Sequence, residues 1–268
     1  MAAMFSVVKL RNAWFPGVGR ALAMVALGAA TLSAQQPPAP TLPRRIDPQA
    51  QQILNRAVQA LGGPAFLSFK SLTTKGRAFS IQDETTAGLA PFQSYVLYPD
   101  KRRFSYGKTL PVVLINNGDK GWEIDRYGLI SQPLEQVQRW MVTNRYSLEN
   151  LLRLRINDPG VLVQMGGVDF VDNAATQGIE IIEAGGTTIR LDLNRQTFLP
   201  TRITYRVRNP KTNDVDDYSD AYADYKFIDG IQTPMHISRY VNGDRSAETF
   251  RITAKYNEEY PPNYFTAE

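Results

Sequence analysis

The sequence predicts a mainly β protein, a strongly curved and incomplete antiparallel β-barrel of about 10–11 strands whose concave face is covered by helices. Apolar and polar residues alternate through most of the chain beyond residue 70, which is the period of a strand. Turn dipeptides such as Asn117-Gly118, Asp229-Gly230 and Asn242-Gly243 separate these runs. One helical segment precedes the strands and a second interrupts them, an order that fits helices packed on one side of a curved sheet.

The N-terminus has the three-part pattern of a secretory signal. Lys9, Arg11 and Arg20 supply positive charge, residues 21–30 are apolar, and Leu32-Ser33-Ala34 is a cleavage site. A retained membrane anchor is the alternative, but the apolar run is shorter than the ~20 residues that span a bilayer. We therefore expect a signal peptide at 1–34 and a periplasmic mature protein.

Residues 35–46 are rich in proline and polar side chains. Such a stretch is not expected to pair its backbone in a sheet, and it is predicted to be an extended tether. No second low-complexity linker follows, so residues 47–268 are predicted to form one domain.

Charge and cysteine content exclude several classes of protein. The full chain has 30 Lys and Arg against 26 Asp and Glu, and loss of the three basic residues of the signal leaves 27 against 26. This balance does not support a nucleic-acid-binding surface. The chain has no cysteine, which excludes disulfides, thiolate metal sites and a lipidated N-terminal cysteine.

The first helix is predicted from Asp47-Pro48, an N-cap followed by proline at the first helical position. Its apolar residues recur at helical spacing: Ile53, Leu54, Ala57, Val58 and Leu61. Gly62-Gly63-Pro64 is expected to end it.

The strands are predicted as short alternating runs, at residues 72–81, 92–98, 102–106, 112–116, 161–164, 178–182, 188–193, 201–207, 218–227, 235–241 and 248–256. Residues 95–98 and 112–115 are apolar on both faces, which indicates apolar cover on both sides. The second helical region, residues 133–155, with a break near Thr143-Asn144, is the expected cover.

Four segments together resemble the periplasmic lipoprotein-carrier superfamily, which includes the lipoprotein chaperone of the Lol pathway and mycobacterial lipid-binding lipoproteins. Tyr98-Pro99-Asp100-Lys101-Arg102-Arg103 resembles its "P-x-K-x-R" strand, and residues 117–124 resemble its "D-G-x-x-x-W-x-Y" strand entry. Residues 191–203 resemble "V-D-x-x-T-x-L-P-x-K-I", and residues 225–234 resemble "Y-x-x-V-D-G-I-x-F-P", with Phe265 in the closing segment.

The resemblance implies a carrier that binds the acyl chains of a lipid or lipoprotein in an apolar cavity, with residues 133–155 as a lid. The residues expected to line this cavity are Tyr95, Leu97, Tyr98, Phe104, Leu114, Trp122, Leu134, Val137, Trp140, Met141, Leu151 and Leu152. A membrane-bound donor or acceptor protein is the implied partner, and no cofactor, metal or nucleic acid is expected. The alternative is a non-catalytic interaction module of the cell envelope, in which these residues are ordinary core.

Two groups of residues have side chains suited to chemistry but do not match a known site pattern. His236, the only histidine, has no accompanying G-x-S-x-G elbow. Asp214, Asp216, Asp217, Asp220 and Asp224 fail the EF-hand pattern, because its glycine and glutamate positions hold Ser219 and Tyr225. The sequence therefore predicts no enzyme, and it predicts that the acidic run is a solvated hairpin protecting a sheet edge.

Overall fold

The computed structural model describes residues 42–171, 174–209 and 213–267, which form one curved sheet and four α-helices. The predicted signal peptide and residues 35–41 lie outside the described residues. The helices are α1 (Pro48–Leu61), α2 (Pro64–Ser68), α3 (Leu134–Arg145) and α4 (Leu148–Arg153). The strands are β1 (Arg45–Ile46), β2 (Ser71–Gln82), β3 (Thr85–Leu97), β4 (Lys101–Tyr106), β5 (Val112–Asn117), β6 (Lys120–Asp125), β7 (Gly128–Ser131), β8 (Leu162–Val171), β9 (Ala174–Ile182), β10 (Thr188–Asn194), β11 (Pro200–Arg208), β12 (Val215–Ile228), β13 (Ile231–Val241) and β14 (Asp244–Tyr256).

The sheet is open, which confirms the predicted incomplete barrel. Its strand order is β1-β8-β9-β10-β11-β12-β13-β14-β2-β3-β4-β5-β6-β7, so β1 and β7 are the two edges. All pairs are antiparallel except β1 with β8. Because β14 pairs with β2, the second half of the chain joins the first half in the middle of the sheet.

The sheet has fourteen strands rather than about eleven. The three that sequence reasoning missed are β1, β6 and β7. Strand β6 has the sequence Lys-Gly-Trp-Glu-Ile-Asp and β7 only four residues, so neither shows a long alternation. Both are strands because they pair with a neighbouring strand, and the local sequence pattern does not reveal such pairing.

Strand β1 begins within the predicted tether. The backbone N–H of Arg45 donates to the carbonyl of Val161 at 2.9 Å, and Asp47 donates to Val163 at 2.9 Å. Pro43 is the last proline before this point, so the backbone donors from Arg44 onward are free to pair. The final two residues of the tether therefore join the sheet.

Helix α1 matches its prediction at both ends. The Asp47 carboxylate accepts hydrogen bonds from the N–H groups of Gln49 and Ala50, at 2.7 and 3.0 Å. Gly62, with φ of 128°, ends the helix. Ala50, Leu54, Ala57 and Leu61 form the buried face. Helix α2 follows at once and was not predicted.

The second helical region is two helices, and the break lies at Tyr146–Ser147 rather than at Thr143-Asn144. The Ser147 hydroxyl accepts a hydrogen bond from the N–H of Asn150 and caps α4. Four of the six residues of α4 are buried, but only Val137 and Trp140 of α3. The two helices therefore differ in how firmly they are packed.

Register assigns the strand residues to two faces, because directly paired residues point to the same side. Leu72, Val96, Arg102 and Asn116 are paired in sequence across β2 to β5 and share the face beneath α3, the inner face. Tyr95, Arg103, Ile115 and Trp122 are paired across β3 to β6 and share the outer face.

Both faces of β3 to β5 are covered, as their apolar runs predict, but by different segments. The helices cover the inner face. The outer face is covered by residues 257–267, where Tyr264 lies edge-on to Tyr95 with ring centroids 5.2 Å apart and Asn117 donates to the carbonyl of Phe265. The expectation that one helical insertion supplies the whole cover is thus corrected.

The main core lies between the inner face and helices α1, α2 and α4. It contains the fully buried Leu54, Leu151, Ile179, Leu191 and Ile203. Within the described ranges, no helix has both the length and the apolar content required to cross a membrane.

Candidate functional site

A cavity of about 460 Å³ lies between helix α3 and the ends of strands β11 and β12. Met141, Val142, Val207 and Tyr218 supply its apolar lining. Charged and polar side chains form the rest of the lining: Glu135, Gln138, Arg139, Arg208, Asn209 and Asp216. Its volume is within the ~300–1,000 Å³ of typical ligand pockets, and this mixture suits an amphiphilic molecule.

A buried hydrogen-bond chain fixes the start of α3. Arg102 donates to the side-chain oxygen of Asn116 at 2.9 Å, Asn116 donates to Gln132 at 2.9 Å, and Gln132 donates to the carbonyl of Trp122 at 2.9 Å. A Cβ on Gly121 would lie 2.4 Å from Gln132 and 2.8 Å from Val137. The helix therefore begins tightly against β6.

The other end of α3 is held by polar contacts. Arg145 forms an ion pair with Glu183 at 2.6 Å, and the Tyr146 hydroxyl donates to the same carboxylate at 2.8 Å. Asn144 and Asn150 both donate to the carbonyl of Pro99, at 2.9 and 2.8 Å. Between its two ends, α3 relies on the buried Val137 and Trp140.

A stack of tyrosines runs from the cavity into the core. Tyr218 in the cavity wall stacks on Tyr205 with ring centroids 5.5 Å apart, and Tyr205 lies 4.7 Å from Tyr146. Beside this stack, Arg239 binds both carboxylate oxygens of Asp220, at 2.7 and 2.8 Å. Burial raises the pKa of Tyr205, and the Asp220 carboxylate raises it further. Burial alone lowers the pKa of Arg239, but Asp220 outweighs that effect and the pKa is raised.

Six of the predicted site residues lie on or beneath α3. Val137 and Trp140 are buried on its sheet side, and Phe104 and Leu114 are paired neighbours on the inner face. Met141 lines the cavity, although 42% of its surface is exposed. Leu134 is 70% exposed and does not contribute to the cavity lining.

The other six lie elsewhere. Leu151 and Leu152 are fully buried in the main core, and Tyr98 packs there against Phe69. Tyr95, Leu97 and Trp122 are on the outer face, and Tyr95 and Leu97 lie against residues 257–267. These three therefore lie outside the inner-face site, because a shift of one position along a strand reverses the face.

Sequence reasoning missed Val142, Val207 and Tyr218, which line the cavity, and the Asp220–Arg239 pair beside it. Val142 is adjacent to the predicted stripe of α3. The strand residues carry no local signal, because ordinary core positions show the same alternation.

His236, Ser238 and Glu248 do not have the geometry of a catalytic triad. Its Nε2 atom lies 3.2 Å from the Ser238 hydroxyl and 3.6 Å from Glu248, so both groups meet the same ring nitrogen. A catalytic serine and a carboxylate would need opposite nitrogens. The ring stacks on Phe250 at 4.1 Å, which explains its position on the outer face.

The acidic run does not protect an edge, since β12 lies inside the sheet between β11 and β13. Its carboxylates are used across neighbouring strands: Asp217 pairs with Arg206 at 3.0 Å and Asp220 with Arg239. Pairing within the sheet thus accounts for Asp217 and Asp220.

A depression of about 1040 Å³ lies on the outer face. Its floor includes Arg190, Arg202, Thr204, Asp217 and Ser219. The buried Asp192 ties Arg190 and Arg202 together, at 2.8 and 3.0 Å. These polar side chains already satisfy one another, so this surface is a poor site for apolar cargo.

The sequence matches no family model and no curated protein. The fold is similar to that of a protein domain from Vibrio parahaemolyticus named for outer-membrane lipoprotein sorting, with a TM-score of 0.51, 11% identity, and coverage of 81% of this chain and 97% of that one. It is also similar to a DUF1329 family protein from Desulfovibrio piger, with a TM-score of 0.54, 11% identity and the same coverage. The fold that the resemblance implies is thus confirmed, since the chain has the same fold as these two proteins.

Proposed function

We propose that this protein is an exported, periplasmic carrier that holds the apolar chain of a lipid or an acylated lipoprotein between helix α3 and the sheet. The observation that carries the proposal is the cavity of about 460 Å³ beneath a helix with only two buried residues. The N-terminal basic, apolar and small-residue pattern supports export. The relative named for lipoprotein sorting has the same fold and supports the class of cargo.

For such a carrier, the free energy of holding an acyl chain is favourable relative to water and close to zero relative to a membrane. Burying one CH₂ group stabilises by about 0.8 kcal/mol, so a chain of ~16 carbons gains on the order of 12 kcal/mol relative to water. Relative to a membrane the gain is close to zero. A cavity that shields the acyl chain from water therefore keeps the cargo dispersed without retaining it, and release requires only a small change in the protein.

Helix α3 is the element that would make this change, and α4 is not. Three of the four buried residues of α4 belong to the main core, whereas α3 would expose Val137 and Trp140 on moving away. At ~1.5–3 kcal/mol for each buried side chain, opening costs roughly 3–6 kcal/mol. A donor or acceptor protein whose binding favours the open or the closed state by this free energy would load or unload the carrier. We therefore narrow the predicted lid from residues 133–155 to α3.

The test is a substitution on α3 that fills the cavity. Val142→Trp adds a large ring to the cavity lining, and we expect it to weaken binding of a fluorescent fatty-acid probe by about tenfold or more, since the ring replaces the chain. Leu134→Trp is the matched control, because it adds a ring to the same helix at a position that is 70% exposed and outside the cavity. It should bind the probe as the natural protein does.

Equal probe binding by the natural protein and the Val142→Trp variant would place the cargo elsewhere. An absence of probe binding by the natural protein would instead favour the interaction module. Far-UV circular dichroism of both variants verifies that the sheet is folded.

A further inference from the structure

The inner face carries three charged side chains that are close to one another, and their charges do not cancel. Asp220 on β12 and Arg239 on β13 are cross-strand partners joined by two hydrogen bonds. Arg102 on β4 faces them from the other part of the curved sheet, near enough for Arg239 to disfavour its charged form. The single carboxylate of this group is thus paired with Arg239, and Arg102 is left without it.

Arg102 has no anionic partner among the described residues. It donates to the neutral side chain of Asn116, and its buried Nε atom has no hydrogen-bond acceptor. Trp140 and Phe104 flank its guanidinium, with ring centroids 5.9 and 5.7 Å from Cζ. Burial, and then Arg239, lower its pKa to about 10, so the group remains charged at neutral pH. A charge with this little compensation is costly unless another group neutralises it.

A second unsatisfied group lies in the same region. The Tyr205 hydroxyl is buried and has no hydrogen-bond partner, and it is close enough to Asp220 and Arg239 for both to affect its ionisation. Tyr205 stacks on Tyr218, which lines the cavity beneath α3. Across the helix, Trp140 covers Arg102 and the next residue, Met141, lines the same cavity. Neither orphaned donor is itself part of the cavity lining; Tyr205 lies behind Tyr218, and Arg102 lies behind Trp140.

We propose that Arg102 binds the anionic headgroup of the cargo, a carboxylate or a phosphate, while the acyl chain occupies the cavity beneath α3. This inference rests on the proposed carrier function and names its substrate class: an amphiphile with one acidic group. A guanidinium suits this task because its planar N–H donors match the oxygens of a carboxylate or phosphate. The two flanking rings hold the guanidinium in place.

The experiment compares two ligands with the same chain. Binding of palmitate and of hexadecanol to the natural protein is measured at pH 7 by displacement of a fluorescent fatty-acid probe. We expect palmitate to bind about tenfold more tightly, because only palmitate gives Arg102 an anionic partner. In Arg102→Met this preference is expected to vanish, with the affinity for hexadecanol unchanged.

The control variant is Arg206→Met. Arg206 is an exposed arginine of β11 paired with Asp217, away from the inner face, so its removal should leave the palmitate preference intact. Arg102→Gln replaces the methionine variant if that one does not fold, and Arg102→Lys should keep part of the preference.

The possible outcomes distinguish the headgroup site from the carrier function. Equal affinities for palmitate and hexadecanol in the natural protein, or a preference that survives in Arg102→Met, would overturn the headgroup site and leave the carrier function standing. Binding of neither ligand would overturn both. Displacement of palmitate by millimolar inorganic phosphate would show a site for a free ion and would also overturn the proposal.

Discussion

Tyr205 and Tyr146 lie in one aromatic stack, but only one of their hydroxyl groups has a partner. The Tyr146 hydroxyl donates to Glu183 at 2.8 Å, whereas the Tyr205 hydroxyl is buried without an acceptor. An unsatisfied buried hydroxyl costs about 1–3 kcal/mol, and a satisfied one contributes about 1 kcal/mol. The two rings therefore provide a matched comparison.

We expect Tyr205→Phe to raise the free energy of unfolding by about 1 kcal/mol and Tyr146→Phe to lower it by about the same amount. Urea unfolding of the two variants and the natural protein measures both changes. A loss of stability in Tyr205→Phe equal to that in Tyr146→Phe would show that the hydroxyl has a partner in solution and would remove one of the two orphaned donors.

Individual site residues were only partly predictable. The helical spacing of Val137 and Trp140 places both correctly on the sheet side of α3. In contrast, Tyr95 and Phe104 are aromatic residues of neighbouring strands and lie on opposite faces. Because residues 95–98 are apolar at every position, the pattern cannot state which face meets the helices, and only the pairing register decides.

Among the elements, β2 and β14 show how closely the two halves of the chain approach. Gly76 pairs with Arg251, and a Cβ at this position would lie 2.0 Å from the carbonyl oxygen of Phe250. That carbonyl belongs to the backbone and cannot rotate away. Gly88 on β3 also faces a close neighbour, but it is the Ser80 hydroxyl at 2.8 Å, which can turn aside.

Gly76→Ala should therefore destabilise the protein by about 3 kcal/mol, near the upper end of the usual cost of overpacking, and Gly88→Ala by much less. Thermal unfolding followed by circular dichroism compares them directly. Similar melting temperatures for the two variants would mean that β2 and β14 separate more easily than their register indicates.

Element prediction succeeded where the signal was local. The Asp47 N-cap and Gly62 fix the two ends of α1, and both can be recognised from neighbouring residues in the sequence. The helical insertion was found, but its break was misplaced by about one turn because Ser147 caps α4 after a Tyr146 that packs into the core. Strands β6 and β7 were missed because pairing at the edge of the sheet, rather than their own composition, makes them strands.

At the scale of the whole molecule, the inner face of the open sheet has two regions that differ in how completely they are packed. The inner face near α1 and α4 is a closed core, and the inner face near α3 combines a cavity with an uncompensated arginine. The outer face of β3 to β5 is sealed by residues 257–267. Stability therefore rests on one part of the sheet, and the proposed cargo site occupies another, where packing is less complete.

Mass spectrometry of the organic extract of protein purified from a bacterial periplasm without detergent would show directly whether the protein carries an acidic amphiphile. We expect a co-purifying lipid or acylated peptide with an acidic group, present in about equimolar amount and reduced in the Val142→Trp variant. A natural protein that is empty, and that also fails to take up a fluorescent fatty-acid probe, would contradict this expectation.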